Sequence, residues 1–361
     1  MLSDTRTSPV PELLERFRAG KRVALARAIS MVEDGRPGFE ALLHELHPEL
    51  GRAQRIGMTG PPGAGKSTLT SKLALQYRER DERVGIVAVD PSSPFTGGAL
   101  LGDRIRMNNI ATDPGIFIRS MAARGALGGL ATTTKEVADL LDAYGFDHVI
   151  METVGVGQSE LEVAGTADTT VVVLVPESGD SIQAMKAGLM EIADIFVINK
   201  ADRPGADRLA QEIEVMLHMR LGEAQPAAAG HHGVSLKSVG KAARERTQQA
   251  AGEGGSWAIP VIKTVAQSGE GIEELARTID RHRVYLESTG ELSLRRQRRL
   301  GERTRAVVNR RLKTLAWLRG PGEEILAESL PALESGAESP YGVAARIVRA
   351  LGIDTPAGIQ T

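Results

Sequence analysis

Cysteine is absent from all 361 residues. That excludes disulfides, thiolate metal sites and cysteine nucleophiles, and it fits a reducing cytoplasm. Aromatic residues are scarce, at 3%, too few for a base-stacking platform on single-stranded nucleic acid. Charge of either sign is not in surplus. The 44 Lys and Arg against 46 Asp and Glu leave a net charge of −2, so no bulk positive field is available for nucleic acid or anionic lipid. No apolar run is long enough to span a bilayer. The first residues, MLSDTRTSPVPELLERF, lack the apolar core of a signal peptide and carry early acidic residues unlike a transit peptide. The expectation is a cytoplasmic chain with neither nucleic acid nor a membrane as partner.

What the chain does have is glycine, 40 residues of it, and a 42% hydrophobic content that is ample for a full core. At about 150 residues per domain, the length predicts two domains or one large α/β domain with extensions. Residues 1–50 read as helical. Leu13, Leu14 and Phe17 recur at helix spacing, as do Val23, Ala24, Ala26, Ile29 and Val32, and Asp34-Gly35-Arg36-Pro37 is a stop signal. Short apolar runs then follow at Ile56–Thr59, Val84–Val89, Ile116–Ile118, Val149–Met151, Thr170–Val175, Ile195–Ile198 and Val261–Val265, mostly separated by amphipathic segments. Strand–helix alternation predicts a doubly wound, mostly parallel α/β sheet covered on both faces.

The organisation expected is therefore an N-terminal helical extension over 1–50, an α/β domain over 51–285 and a C-terminal helical arm over 286–361. Residues 222–256, rich in Ala, Gly and Gln, read as a mobile surface insertion. His231-His232 within it lack a third ligand and read as polar loop residues rather than a metal site. Helices are expected at Glu273–Leu286, Leu294–Leu318 and Ala344–Leu351, with Pro331, Pro340 and Gly342 as punctuation. The run Arg295, Arg296, Arg298, Arg299 is of a kind that binds phosphate or RNA, but the balanced charge favours a solvated helix face or a subunit interface.

Gly60-Pro61-Pro62-Gly63-Ala64-Gly65-Lys66-Ser67 matches G-x-x-x-x-G-K-[ST] at every fixed position. A short strand precedes it and an amphipathic helix over 67–80, opening with Ser67 and Thr68, follows. In that context the glycines let main-chain N–H groups wrap a phosphate chain, and the helix dipole adds positive potential. Lys66 is placed to reach β- and γ-phosphates, and Ser67 to offer its hydroxyl to Mg²⁺. A second motif, Asn199-Lys200-Ala201-Asp202, follows the strand Ile195–Ile198, where a base lies in this class of sheet. A carboxylate at Asp202 accepts both guanine N1–H and N2–H. Adenine would leave it unpaired, at a cost of about 1–3 kcal/mol or more, so the pattern calls for GTP/GDP rather than ATP. Main-chain amides at Val265 and Ala266 are candidates to contact the guanine oxygen. Acidic residues at strand ends complete the pattern. Asp90 follows Val84–Val89, Glu152 opens Glu152-Thr153-Val154-Gly155-Val156-Gly157, and Asp103 sits in a Gly-rich loop. Such carboxylates converge on a phosphate loop and hold Mg²⁺, while Gly155 would give an N–H to the γ-phosphate and hinge a switch.

The stretches VAVDPSSPFTGGALLGDRIRM, FIRSMAARGALGGLA, ETVGVGQSE, GDSIQAMKAGLMEIADIFVINKADRPGA and ALARAISMVED resemble the MeaB-like family, also labelled ArgK, of GTPase chaperones of methylmalonyl-CoA mutase. The resemblance is dense over residues 20–220 and looser over 257–350. It implies a P-loop GTPase fold, homodimers through C-terminal helices, and coupling of GTP hydrolysis to adenosylcobalamin delivery and protection of an acyl-CoA mutase. It makes Lys66 and Ser67 phosphate and metal residues, Asp90, Asp103 and Glu152 magnesium-site acids, and Asn199, Lys200 and Asp202 the guanine motif. Residues 179–194 match the family's third switch. Lys186 within it is a candidate for reaching nucleotide or partner, or else a solvated helix lysine. Two departures stand out: Glu177 where the family usually has Gly, and the long 222–256 segment.

No residue identifies itself as the group that positions the attacking water. Arg104, Arg106, Arg119 and Arg124 fall in expected switch regions, so slow intrinsic hydrolysis stimulated by a partner is expected. The competing readings are a nickel-insertion GTPase, a transport-linked kinase or ATPase, and a targeting GTPase of the signal-recognition type. The first wants Cys or clustered His, the second an amino-acid pocket, and the third a Met-rich or membrane-binding domain. The chain offers none of these.

Overall fold

The computed structural model describes residues 10–90, 107, 109–122, 129–153, 163–176, 188–220 and 256–353. The 222–256 segment lies outside them, except for Ser256. All seven expected strands form: β1 Gln54–Thr59, β2 Val84–Asp90, β3 Ile116–Ala122, β4 His148–Thr153, β5 Thr169–Leu174, β6 Ile195–Asn199 and β7 Val261–Thr264. They make one parallel sheet in the order β3-β2-β4-β1-β5-β6-β7. β4 and β5 are buried at every residue. That is why their sequences run apolar without strict alternation.

The pleat distributes each strand between two cores. Val149 and Met151 of β4 join the core beneath α1 Val10–Arg18, α2 Arg22–Glu33, α3 Phe39–Leu46 and a later helix, Gly129–Ala143. Ile150 between them faces the opposite core with Ile56, Met58, Val171 and Val173. That second core is roofed by α4 Lys66–Arg78 and the helix Ile272–Ser288. We number the remaining longer helices among the described residues α5 Gly129–Ala143, α6 Ala206–Arg220, α7 Ile272–Ser288, α8 Glu291–Lys313, α9 Gly322–Glu334 and α10 Pro340–Ala350. α6 covers the β5–β6 flank through Leu209, Ile213 and Leu217.

The N-terminal helices pack into the first of these cores. α1 buries Val10, Leu14 and Phe17 at helical spacing. The stripe of α2 runs through Ala24, Leu25, Ala28, Ile29 and Val32. Val23, expected on that stripe, is 57% exposed, because Leu25 takes the inward position instead. Arg119 in β3 pairs with Glu33 and reaches Ser30 Oγ at 3.3 Å, tying α2 to the sheet. It is thereby committed to packing, which removes it from the switch arginines. Arg104, Arg106 and Arg124 lie outside the described residues.

The C-terminal helices differ from their expected form in two respects. Pro331 is inside α9, near its end, where little helix remains to be disrupted. Pro340 opens α10 at its first turn, with the Ser339 side chain accepting from the Gly342 N–H at 3.2 Å. The larger correction concerns the arginine run. Three of its four members fold back onto the sheet rather than into solvent. Arg295 grips Asp194 through both terminal nitrogens at 3.0 Å. Arg296 meets Asp168 Oδ2 at 2.9 Å, and Arg299 pairs with the same carboxylate. Only Arg298 is exposed. Spacings of three and four residues put 295, 296, 299 and 303 on one helix face, so α8 is fastened by charge although none of its residues is fully buried.

Candidate nucleotide site

β1 ends at the centre of the sheet, and residues 60–67 turn there into the first turn of α4. Two glycines make that turn possible. Gly60 has φ +133°, and a Cβ on it would sit 2.0 Å from the Val173 carbonyl oxygen of β5. Gly65, at φ +87°, would place a Cβ 2.4 Å from the Asn199 side-chain nitrogen. Neither backbone conformation nor neighbour leaves room for a side chain. The tip, Pro62 and Gly63, is exposed, as is Thr68, whereas Pro61, Ala64, Lys66 and Ser67 are buried.

Lys66 is 5% exposed. Its ammonium donates to the Gly60 carbonyl at 2.7 Å and the Pro61 carbonyl at 3.0 Å. The charge is thus held inside the curl of the loop. Ser67 Oγ donates to Glu152 Oε1 at 2.5 Å, with Glu152 3% exposed in β4. Register explains the meeting: Glu152 lies beside Met58 of β1 and Ala88 of β2. Asp90 closes β2, one strand further out. Its side chain, together with Asp103, Gly155 and Lys186, lies outside the described residues. The hydroxyl–carboxylate pair is a hard-oxygen donor set of the kind Mg²⁺ accepts, so the residues present fit that ion.

The second motif reaches the loop directly. Asn199, 2% exposed, donates to the Ala64 carbonyl at 2.8 Å. Its Oδ1 accepts from Thr264 Oγ1 at 3.2 Å and from the Ala266 N–H at 3.0 Å. Lys200, in the left-handed region at φ 57°, donates to the Gly63 carbonyl at 2.9 Å. Asn199 therefore braces the phosphate loop against the β7 loop, a role not legible from the tetrapeptide alone. Asp202 is exposed beside it. The amides expected to face a base are already engaged: Ala266 with Asn199, and Val265 with the Glu270 carbonyl at 3.0 Å. A signal for this existed in Gly269 and Gly271, both at positive φ, which fold residues 265–270 into a tight bridge.

Among the described residues, no helix is long and apolar enough to cross a membrane.

A Pyrococcus abyssi protein named as a GTPase is 46% identical over 83% of this chain and 84% of its own. A Mycobacterium tuberculosis protein named a probable GTPase is 37% identical over 94% of both chains. The mitochondrial methylmalonic aciduria type A homolog of Mus musculus is 34% identical over 82% of this chain and 68% of its own. A solved structure described as a LAO/AO transport system kinase superposes with a TM-score of 0.62 at 27% identity, covering 95% of this chain and 97% of its own. The family described as methylmalonyl Co-A mutase-associated GTPase MeaB matches residues 25–319, a span that takes in the phosphate loop, its Asn199 brace and all seven strands, and the chain belongs to that family.

Proposed function

We propose that this protein binds GTP with Mg²⁺, hydrolyses it, and serves as a chaperone to an adenosylcobalamin-dependent acyl-CoA mutase. The observation that carries the reading is the phosphate loop joined through Asn199 to the Asn-Lys-x-Asp corner, within a chain of the mutase-associated family. Lys66 exchanges its two loop carbonyls for phosphate oxygens when nucleotide enters. Loop amides between Gly60 and Ser67 take the rest of the phosphate charge. Asp202 reads guanine, while Asn199 holds the two loops in register. Ser67, Glu152, Asp90 and Asp103 are the metal-holding set, and the ion, when bound, neutralises charge between the β- and γ-phosphates. Gly155 and Lys186 are proposed as contacts that form with nucleotide or partner.

The pairing of Arg119 with Glu33 and Ser30 supports slow turnover alone and stimulation by the mutase. The exposed apolar residues of the C-terminal helices, Leu312, Leu315, Leu318, Leu330 and Tyr341, support a homodimer through that arm. A cytoplasmic location fits the lack of cysteine.

The test is nucleotide turnover by the purified protein, with and without an adenosylcobalamin mutase from the same cell, against ATP. Stimulated GTP turnover and indifference to ATP are expected. GTP turnover deaf to every such mutase would discard the partner. ATP turnover that exceeds GTP would favour the transport-kinase reading, whose support is the likeness to the 27%-identical transport system kinase.

A further inference from the structure

At the opposite end of the sheet from the phosphate loop, a cavity of about 220 Å³ opens between α8 and the starts of β1 and β5. It has room for about seven waters at ~30 Å³ each. Five cationic side chains face it: Arg55, Lys135, Arg296, Arg299 and Arg303. The carboxylates paired with them are Asp139, Asp142 and Asp168; Glu136 also acts on Arg303 but is itself paired with Arg310. Arg55 meets Asp139 at 2.7 Å and Asp142 at 3.0 Å, and Arg303 pairs with Asp139 as well. Arg296 and Arg299 share Asp168. Asp142 is further occupied by the N–H groups of Gly51, Arg52 and Ala53, at 2.9, 3.0 and 2.9 Å. Lys135 has no ion-pair partner among the described residues.

Two positive charges are therefore left over in a recess that is mostly withdrawn from water. The side chains of Arg55, Arg299 and Arg303 are only 12%, 14% and 19% exposed. Burying like charges together is costly unless an anion joins them. Burial, with added repulsion from Arg55, pulls both Arg299 and Arg303 below the ordinary arginine range. Guanidinium groups on several elements present a forked donor array that suits tetrahedral oxyanions.

We propose that this cavity is a second anion site, separate from the nucleotide site, and that it takes a phosphate-class dianion seated among Arg55, Lys135, Arg299 and Arg303. The dianion matches the charge surplus. It also cross-links α8 to α5 and β1, so its binding tightens the C-terminal arm on the sheet. Leu50 and Leu300 form an apolar wall beside it, leaving space for a small organic body on the phosphate.

The experiment uses the full chain saturated with GDP and Mg²⁺, so that the phosphate loop is filled. Inorganic phosphate is titrated by calorimetry at about pH 8, where it is a dianion, in chloride buffer of constant ionic strength. One phosphate per chain is expected. Affinity should fall about tenfold or more in Lys135→Gln and further in Lys135→Glu, with GTP turnover and thermal midpoint in chloride unchanged. Arg303→Gln should abolish binding, and because it also loosens a pair with Asp139 its folding is checked by circular dichroism. Three results would overturn the proposal: no saturable binding up to about 10 mM phosphate, binding insensitive to both Lys135 variants, or binding lost in Lys66→Ala, which would place the ion in the phosphate loop.

Discussion

The two ends of the central strand β1 are held by different physics. Its carboxyl end runs into a loop shaped by backbone. Gly60 packs against the β5 main chain, Gly65 against Asn199, and Lys66 hydrogen-bonds the loop's own carbonyls. Its amino end is framed by side-chain charge. Asp142 receives the N–H groups of residues 51–53, and Asp168 receives the Arg55 N–H at 3.2 Å along with two guanidinium groups. The contrast teaches a division of labour. At the loop end, a defect should cost chemistry and spare the fold. At the charged end, it should cost the fold and spare the chemistry.

The largest effect is expected where chemistry is most concentrated. Lys66→Ala removes the one cation inside the phosphate loop. GTP turnover should fall on the order of 10²–10³-fold, while the urea midpoint changes little, since its bonds to the Gly60 and Pro61 carbonyls are worth about 1 kcal/mol each. Turnover that stays within a few-fold of the parent would mean that the loop's amides suffice and that the two ends are less distinct than drawn.

Asp168→Asn is the mirror experiment. Burial would raise this carboxyl's pKa, yet Arg299 and Arg296 hold it at about 2. Removing its charge strands two half-buried guanidinium groups. A loss of about 3 kcal/mol in stability is expected, read from urea unfolding, with GTP turnover per folded molecule unchanged. A neutral effect would show that α8 is held by its alkyl contacts instead.

Legibility follows the same division. The phosphate loop is a contiguous word, and its flanking strand and helix confirm each other, so the strand–loop–helix of residues 56–80 is legible from its own sequence. All seven strands announce themselves as short apolar runs because parallel strands are buried on both faces. The Arg295–Arg299 run reads as a solvated helix face or a subunit interface, whereas three of its four arginines turn to the sheet, because its partners are remote. Arg296 and Asp168 stand 128 residues apart, and Arg310 and Glu136 stand 174 apart. Nothing local distinguishes an arginine facing water from one facing a carboxylate in another element. The same holds for Asn199. Its motif announces a base, while its braces to Ala64 and Ala266 depend on where β1 and β7 come to lie.

The smallest effect sharpens the comparison through pH. His282 of α7 is fully buried, with Nδ1 2.8 Å from Thr169 Oγ1 and Nε2 3.4 Å from Asp194. Burial lowers its pKa from 6.5 to about 4, against the pull of Asp194. The folded state therefore keeps this ring neutral where the unfolded chain protonates it. Stability from His282 is complete above about pH 6.5 and is lost as pH falls toward 4. At pH 5 the loss should be about 2 kcal/mol. Buried His148, also lowered by desolvation, contributes with the same sign. Urea unfolding of the parent and of His282→Gln at pH 7 and pH 5 separates them. The variant should lose most of the pH dependence, and His148→Gln in the same background should remove much of what remains. A variant whose stability falls between pH 7 and pH 5 as steeply as the parent's would clear His282 of the acid sensitivity, and Asp168 would not account for it either, because its own window lies lower, between about 4 and 2. Both histidines sit at the amino end of the strands, His282 beside Thr169 at the start of β5 and His148 at the start of β4, so loss of their pH dependence would place this acid sensitivity at the end of the sheet away from the phosphate loop.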